Sequence, residues 1–229
     1  MLLQSRFLSD PMLDHERGCF ARATHLVDGE LEVRNVFAQI PDLEDVTSHD
    51  ALIIGGSGDF SVVERDQPFF DPLAELLRQV VDAGFPTFGC CFGFQLLVDA
   101  MGGTVVKDPA RAEIGSFPVE LTEEGRDDPL FGQLPPTFVA QMGHFDRASV
   151  LPEGVPNLVS SQRCFFQALR FPGLPIWATQ FHPELDDEGN KARCIAYIKE
   201  FGEIQDYEAL PSPQALTILP RFLKLVADS

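Results

Sequence analysis

A cysteine, a histidine and a glutamate sit in this chain in settings that suit a nucleophile and its base. Gly89-Cys90-Cys91-Phe92-Gly93 follows the apolar run 85–88 and opens a helix-like stretch at 94–101. Glycines two places either side of a central residue let a strand turn sharply into a helix and lift that side chain off the sheet, a nucleophile elbow. The central residue is Cys91, and the positive end of the following helix favours its thiolate. Cys90 points the opposite way and reads as a core thiol.

A base comes from the second half of the chain. In Gln180-Phe181-His182-Pro183-Glu184, the proline favours extended backbone. Residues i and i+2 then share a face, so Glu184 can orient the His182 imidazole while the other ring nitrogen reaches Cys91. Alone, the His-x-Glu pair reads more readily as a solvated pair than as a base; beside the elbow it reads as a base. His144-Phe145-Asp146 offers an alternative with the same spacing. Donors for an oxyanion are available from the backbone of the glycine turn 55–58, which ends the apolar run 51–54, and from the N–H of Phe92. That turn lacks the Lys-Ser/Thr or GxGxxG continuation of a phosphate loop.

The elements that must position these groups alternate. Apolar runs at 51–54 and 86–88 flank a segment, 71–83, with Leu73, Leu76, Leu77 and Val80 at helical spacing, which predicts a βαβ unit. A fainter unit precedes it: a strand at 2–3, a helix over 12–24 and a strand over 31–37. After Gly102-Gly103, short runs at 117–121, 137–141, 157–161, 165–170 and 176–180 predict an antiparallel edge extension. A helix is expected over 188–201 with Ile195, Ile198 and Phe201 on one face. Beyond Pro211-Ser212-Pro213, residues 214–227 read as a docked amphipathic tail or an oligomer contact. The expected fold is α/β: a mostly parallel central sheet flanked by helices, flavodoxin-like in three layers, with a domain at 1–205 and a helical extension at 206–229.

Composition narrows the partners. Against 35 acidic residues the chain has 17 Lys and Arg, a formal charge of -18 that repels phosphate backbones and anionic lipid. Five cysteines show no CxxC pair and no zinc-like spacing, so a reducing compartment and no metal are expected. Asp10, Asp14 and Glu16 interrupt any secretory core near the start, and no run approaches the ~18 apolar residues of a membrane span. A cytoplasmic protein without nucleic-acid or membrane partners is expected. Asp186-Asp187-Glu188 reads as a helix-start cluster, and Cys19, Cys164 and Cys194 as packing.

The elbow through Gln95, the turn Gly55-Gly56 and the segment 180–184 together resemble the signature of class I, triad-type glutamine amidotransferases. Met101-Gly102-Gly103, Asp128-Pro129-Leu130-Phe131, Gly143-His144-Phe145-Asp146 and Leu151-Pro152 resemble weaker family segments in the same order. The resemblance covers about residues 45–202 and is nearest to GMP-synthase-type domains. It implies that Cys91 attacks the side-chain amide of glutamine, that Gly56 and Phe92 N–H groups hold the oxyanion, and that His182, oriented by Glu184, protonates departing ammonia and activates water against the thioester. It further implies glutamine contacts at Gln95, Gly55, Gly143 and His144, and no cofactor. Relatives hand ammonia to a synthase domain or subunit. The expectation is therefore a hydrolase of glutamine or a related γ-glutamyl amide, with a γ-glutamyl peptide hydrolase and a subunit active only in a synthase complex as alternatives. Many relatives carry a proline soon after the glycines, where this chain has Ser57-Gly58-Asp59-Phe60.

Overall fold

The computed structural model describes residues 1–27, 29–58, 60–197 and 209–228. Strands and helices alternate in the first half: β1 (Leu2–Gln4), α1 (Leu13–Thr24), β2 (Val33–Asn35), α2 (Leu43–Thr47), β3 (Leu52–Ile54), α3 (Phe70–Asp82), β4 (Thr87–Cys90) and α4 (Phe92–Ala100). The second half is strand-rich: β5 (Thr104–Lys107), β6 (Glu113–Leu121), α5 (Glu123–Asp127), β7 (Thr137–His144), β8 (Asp146–Val150), β9 (Asn157–Ser160), β10 (Ala168–Arg170) and β11 (Ile176–Thr179). Then come α6 (Asp187–Ala196) and a C-terminal helix (Ile218–Ala227).

Among the described residues, nine strands make one sheet in the order β2-β1-β3-β4-β11-β10-β9-β6-β7. The first five pair in parallel, and from β11 onward every pairing is antiparallel. β1, β3, β4 and β11 are buried along their whole length, as strands covered by helices on both faces must be. On one face Leu3, Leu52 and Ile54 pack with Leu73, Leu77 and Val80 of α3 and with α4. On the other, Leu2, Ile53, Phe88 and Trp177 pack with Phe20 of α1 and Phe222 of the C-terminal helix. This is the expected three-layer α/β fold with an antiparallel edge.

Several elements depart from expectation. α2 and α5 are too short to show a helical period; each is set by its cap, Asp42 Oδ1 accepting from Asp45 N and Thr122 Oγ1 from Gly125 N. β6 begins at Glu113, before the run expected at 117–121. β5 and β8 were not expected as strands; they pair only with each other, in a second, antiparallel sheet. Ile195, expected on the buried face of its helix, is 60% exposed. The buried face of α6 is instead Gly189, Asn190, Arg193 and Cys194, because the polar residues find partners inside. Residues 198 and 201, and the boundary expected at 205/206, lie outside the described residues. Among those described, no helix is long and apolar enough to cross a membrane.

Candidate active site

β4 turns into α4 through Cys91, whose backbone stands at φ 51°, ψ -97°. A non-glycine residue held there costs about 1–3 kcal/mol of strain. The flanking glycines make the turn fit: a Cβ on Gly93 would lie 2.7 Å from the Ile54 carbonyl oxygen, and one on Gly89 would lie 2.8 Å from the backbone of Gly93. Cys91 N–H donates to Thr179 O at 2.7 Å, fastening the elbow to β11. The two thiols diverge as alternation requires. Cys90 enters the core beside Phe88 and Phe222, where burial pushes its thiol well above the usual range. Cys91 faces a cleft, at 6% exposure.

β11 runs parallel to β4 with Thr179 opposite Cys90, so the segment that leaves β11 arrives beside the elbow. His182 is held there by its N–H to Gln141 O at 2.9 Å. Its Nδ1 is 2.8 Å from Glu184 Oε1. On the other side of the ring, a Cβ built on Gly143 would lie 3.9 Å from Nε2, and the Gly143 carbonyl is 4.0 Å from Cys91 Sγ. Burial works against a charged imidazole, but Glu184 and Cys91 outweigh it and lift His182 from 6.5 to about 9. Burial likewise opposes the Glu184 carboxylate, and His182 and Arg193 overcome it, bringing Glu184 down to about 2.

Arg193, on the buried face of α6, was missed by the sequence reading. Its Nη1 donates to Glu184 Oε1 at 3.0 Å and passes 3.2 Å from His182 Nδ1. Glu16 of α1, fully buried, lies 3.8 Å from Arg193 Nη2 and is paired with Arg6 (Nε to Oε2, 3.0 Å). Arg6 in turn reaches Asp10 and the Tyr197 hydroxyl. The buried charges thus form one chain from the segment that follows β1 to the histidine. Nothing in the local pattern of Glu16 or Arg193 separates them from solvated helix residues.

Glu16 also changes the part expected of the glycine turn. Gly56 N–H donates to Glu16 Oε1 at 3.1 Å, so it is engaged by a carboxylate in this conformation. Gly55 N–H donates to Leu3 O, and its Cα faces the Glu16 carboxylate, where a Cβ would lie 3.0 Å away. Phe92 opens α4, and a first-turn N–H has no acceptor within its own helix.

A cavity of about 580 Å³ opens in front of Cys91. Phe92, Gln95, Gly143 and His144 line it with Ser57, Ser61, Lys107 and Asp146, whereas Gly55 and Gly56 fall outside the lining. Gln95 Nε2 is occupied, donating to Asp146 O at 2.8 Å and to Gln180 Oε1 at 3.2 Å. Gln180 approaches the elbow thiol, with Nε2 3.7 Å from Cys91 Sγ. The alternative base does not form. His144 Nδ1 meets the Asp146 backbone carbonyl at 3.1 Å and not its carboxylate; His144 Nε2 pairs with Glu113 at 3.1 Å, and the Asp146 carboxylate accepts from Ser61. Asp186 caps α6, Oδ1 accepting from Gly189 N at 2.7 Å.

A mostly parallel sheet that lifts a cysteine on a strand-to-helix elbow, beside a buried histidine–glutamate pair, defines a three-layer α/β protein with a thiol at the mouth of a cleft. The chain belongs to the glutamine amidotransferase class-I family, whose profile matches residues 20–198. It is 37% identical over 135 residues to the GMP synthase [glutamine-hydrolyzing] of Thermosipho africanus, a match covering 59% of this chain and 24% of that protein. The chain therefore corresponds to about a quarter of this curated relative's length. Among solved structures, a glutamine amidotransferase from Thermotoga maritima superposes with TM-score 0.77 at 19% identity, covering 100% of this chain and 98% of that one. A glutamine amido transferase from Methylobacillus flagellatus gives TM-score 0.71 at 23% identity, covering 100% and 88%. These two likenesses carry the fold.

Proposed function

We propose that the protein hydrolyses the side-chain amide of glutamine, or a related γ-glutamyl amide, through a thioester on Cys91. The observation that carries this reading is the buried His182–Glu184 pair, 2.8 Å apart, against the elbow cysteine. With His182 raised to about 9, an imidazolium stands beside Cys91 near neutral pH. The Cys91 thiolate adds to the amide carbon, and the Phe92 N–H stabilises the oxyanion. His182 gives its proton to the leaving nitrogen, and ammonia departs. The neutral imidazole then takes a proton from water, the hydroxide adds to the thioester, and glutamate leaves as the thiolate and imidazolium return. Glu184 holds the ring throughout, and Arg193 holds Glu184. Free thiols at all five cysteines suit a reducing, cytoplasmic setting.

One observation favours a second reading, a subunit that works fully only with a synthase accepting its ammonia. Gly56 N–H, the donor the family resemblance assigns to the oxyanion, is bonded to Glu16. Losing one such donor slows catalysis by about 10²–10³. Glutamate release by the purified protein separates the readings: turnover that needs an added synthase supports the subunit. In either case Cys91→Ala is expected to abolish release and Cys90→Ala to leave it within about threefold, since only Cys91 faces the cleft. Turnover surviving in Cys91→Ala would sink the proposal.

A further inference from the structure

A second cavity, of about 520 Å³, lies between the end of α1 and the start of the C-terminal helix, and it shares no lining residue with the cleft in front of Cys91. Its wall carries three basic side chains: Arg22 and His25 at the end of α1, and Arg221 in the first turn of the C-terminal helix. Against 35 acids the chain has 17 Lys and Arg, so an arginine without a carboxylate partner is unexpected. Among the described residues neither Arg22 nor Arg221 has a carboxylate within ion-pair distance. Arg22 Nη2 donates to the Cys19 sulfur at 3.3 Å, and Arg221 Nη1 is buried without an acceptor among the described residues.

Helix ends account for one of these arginines and not the other. Arg22 stands in the last turn of α1, where the negative end of the helix favours a cation; Arg221 stands near the positive end of its own helix, which disfavours one. The two acids on the wall are already engaged. Glu184 is bonded to His182 and Arg193, and Asp186 Oδ1 caps α6. A buried guanidinium nitrogen that has left water without gaining an acceptor calls for an anion. The formal charge of -18 repels anions from the molecule as a whole, so one is held here only by direct contact with these groups.

The kind of anion follows from the number of donors. A carboxylate has two oxygens and matches one guanidinium; a phosphate monoester presents three, enough to bond guanidiniums from two helices and the imidazole together. Phosphate alone leaves most of the space unfilled, and Ala23, Leu216 and Pro220 give the rest of the wall an apolar surface that suits an organic body. We infer that the cavity between α1 and the C-terminal helix binds a small phosphate monoester with an apolar body, its phosphate held by Arg22, His25 and Arg221. The site does not depend on the reading of Cys91 as a nucleophile.

Phenyl phosphate and benzoate, titrated calorimetrically into the full chain at fixed ionic strength, test this. Phenyl phosphate is expected to bind at one site, about tenfold or more tighter than benzoate. Arg22→Gln and Arg221→Gln each weaken it about tenfold, the pattern of one lost charge-assisted contact. Arg17→Gln removes the same charge from an exposed position of α1 outside the cavity, and it stays within about twofold, as does Cys91→Ala. Arg22 is exposed, so its variant folds as the wild type does and keeps the test decisive even where Arg221→Gln is destabilised. The site is overturned by an absence of saturable binding, by benzoate binding as tightly, by unchanged affinity in Arg22→Gln or by an equal loss in Arg17→Gln. Loss of binding in Cys91→Ala overturns it too, since the ligand would then occupy the cleft.

Discussion

At the scale of single residues, the proposed chemistry depends on how four buried groups balance. Glu184 and Cys91 favour the imidazolium of His182, and Arg193 keeps Glu184 ionised, each against a desolvation cost that would neutralise an isolated group. In the proposed reaction a protonated His182 supplies the departing nitrogen's proton. The expected kcat/KM for glutamine therefore falls as pH rises through about 9, where the raised imidazole loses its proton. The same shift links to stability. Because the folded value lies above the ordinary 6.5, the histidine's contribution is complete below 6.5 and is lost as pH rises through about 9. A pH–rate profile whose alkaline limb lies near 6.5 would contradict the assignment. Cys91, His182 and Glu184 are legible in the chain because each sits in a local pattern. Glu16 and Arg193 are not, since burial among other charges is a property of position in the fold.

At the scale of elements, the site is a strand-to-helix turn braced by its neighbours. α3 and the C-terminal helix are readable from spacing because their apolar residues form one continuous stripe. α6 is misread because its inward face carries Asn190, bonded to Gly115 O and Gln141 Oε1, and Arg193. β5 and β8 are invisible because short strands paired across some 40 residues leave no period of their own. The C-terminal helix closes one face of the sheet: Phe222 is fully buried, with ring centroids 5.4 Å from Phe88 and 6.0 Å from Trp177. Phe222→Ala is expected to destabilise the fold by about 3–5 kcal/mol in urea unfolding. A loss below about 1 kcal/mol would mean that this helix is an appendage and not part of the core.

At the scale of the whole molecule, the acidic excess sets how the fold responds to its solvent. With 35 acids against 17 Lys and Arg, half of the acidic side chains cannot be matched by a Lys or Arg of their own. Exposed pairs such as Arg78–Glu75 contribute little each. Screening the self-repulsion should outweigh loosening those pairs, so Tm is expected to rise on adding sodium chloride; a fall would show that the ion pairs dominate. The order of apolar runs, the glycine-flanked cysteine and the proline-held His-x-Glu pair already specify an α/β sheet with an elbow cysteine and a candidate base, because these depend on spacings of a few residues. Local spacing is silent on partners far apart in the chain. Folding alone put Glu16 on the Gly56 N–H, Arg193 against Glu184, and Lys107 opposite Asp146 beside the cavity in front of Cys91, since each pairing brings together side chains from separate elements or from a helix and the segment that precedes it.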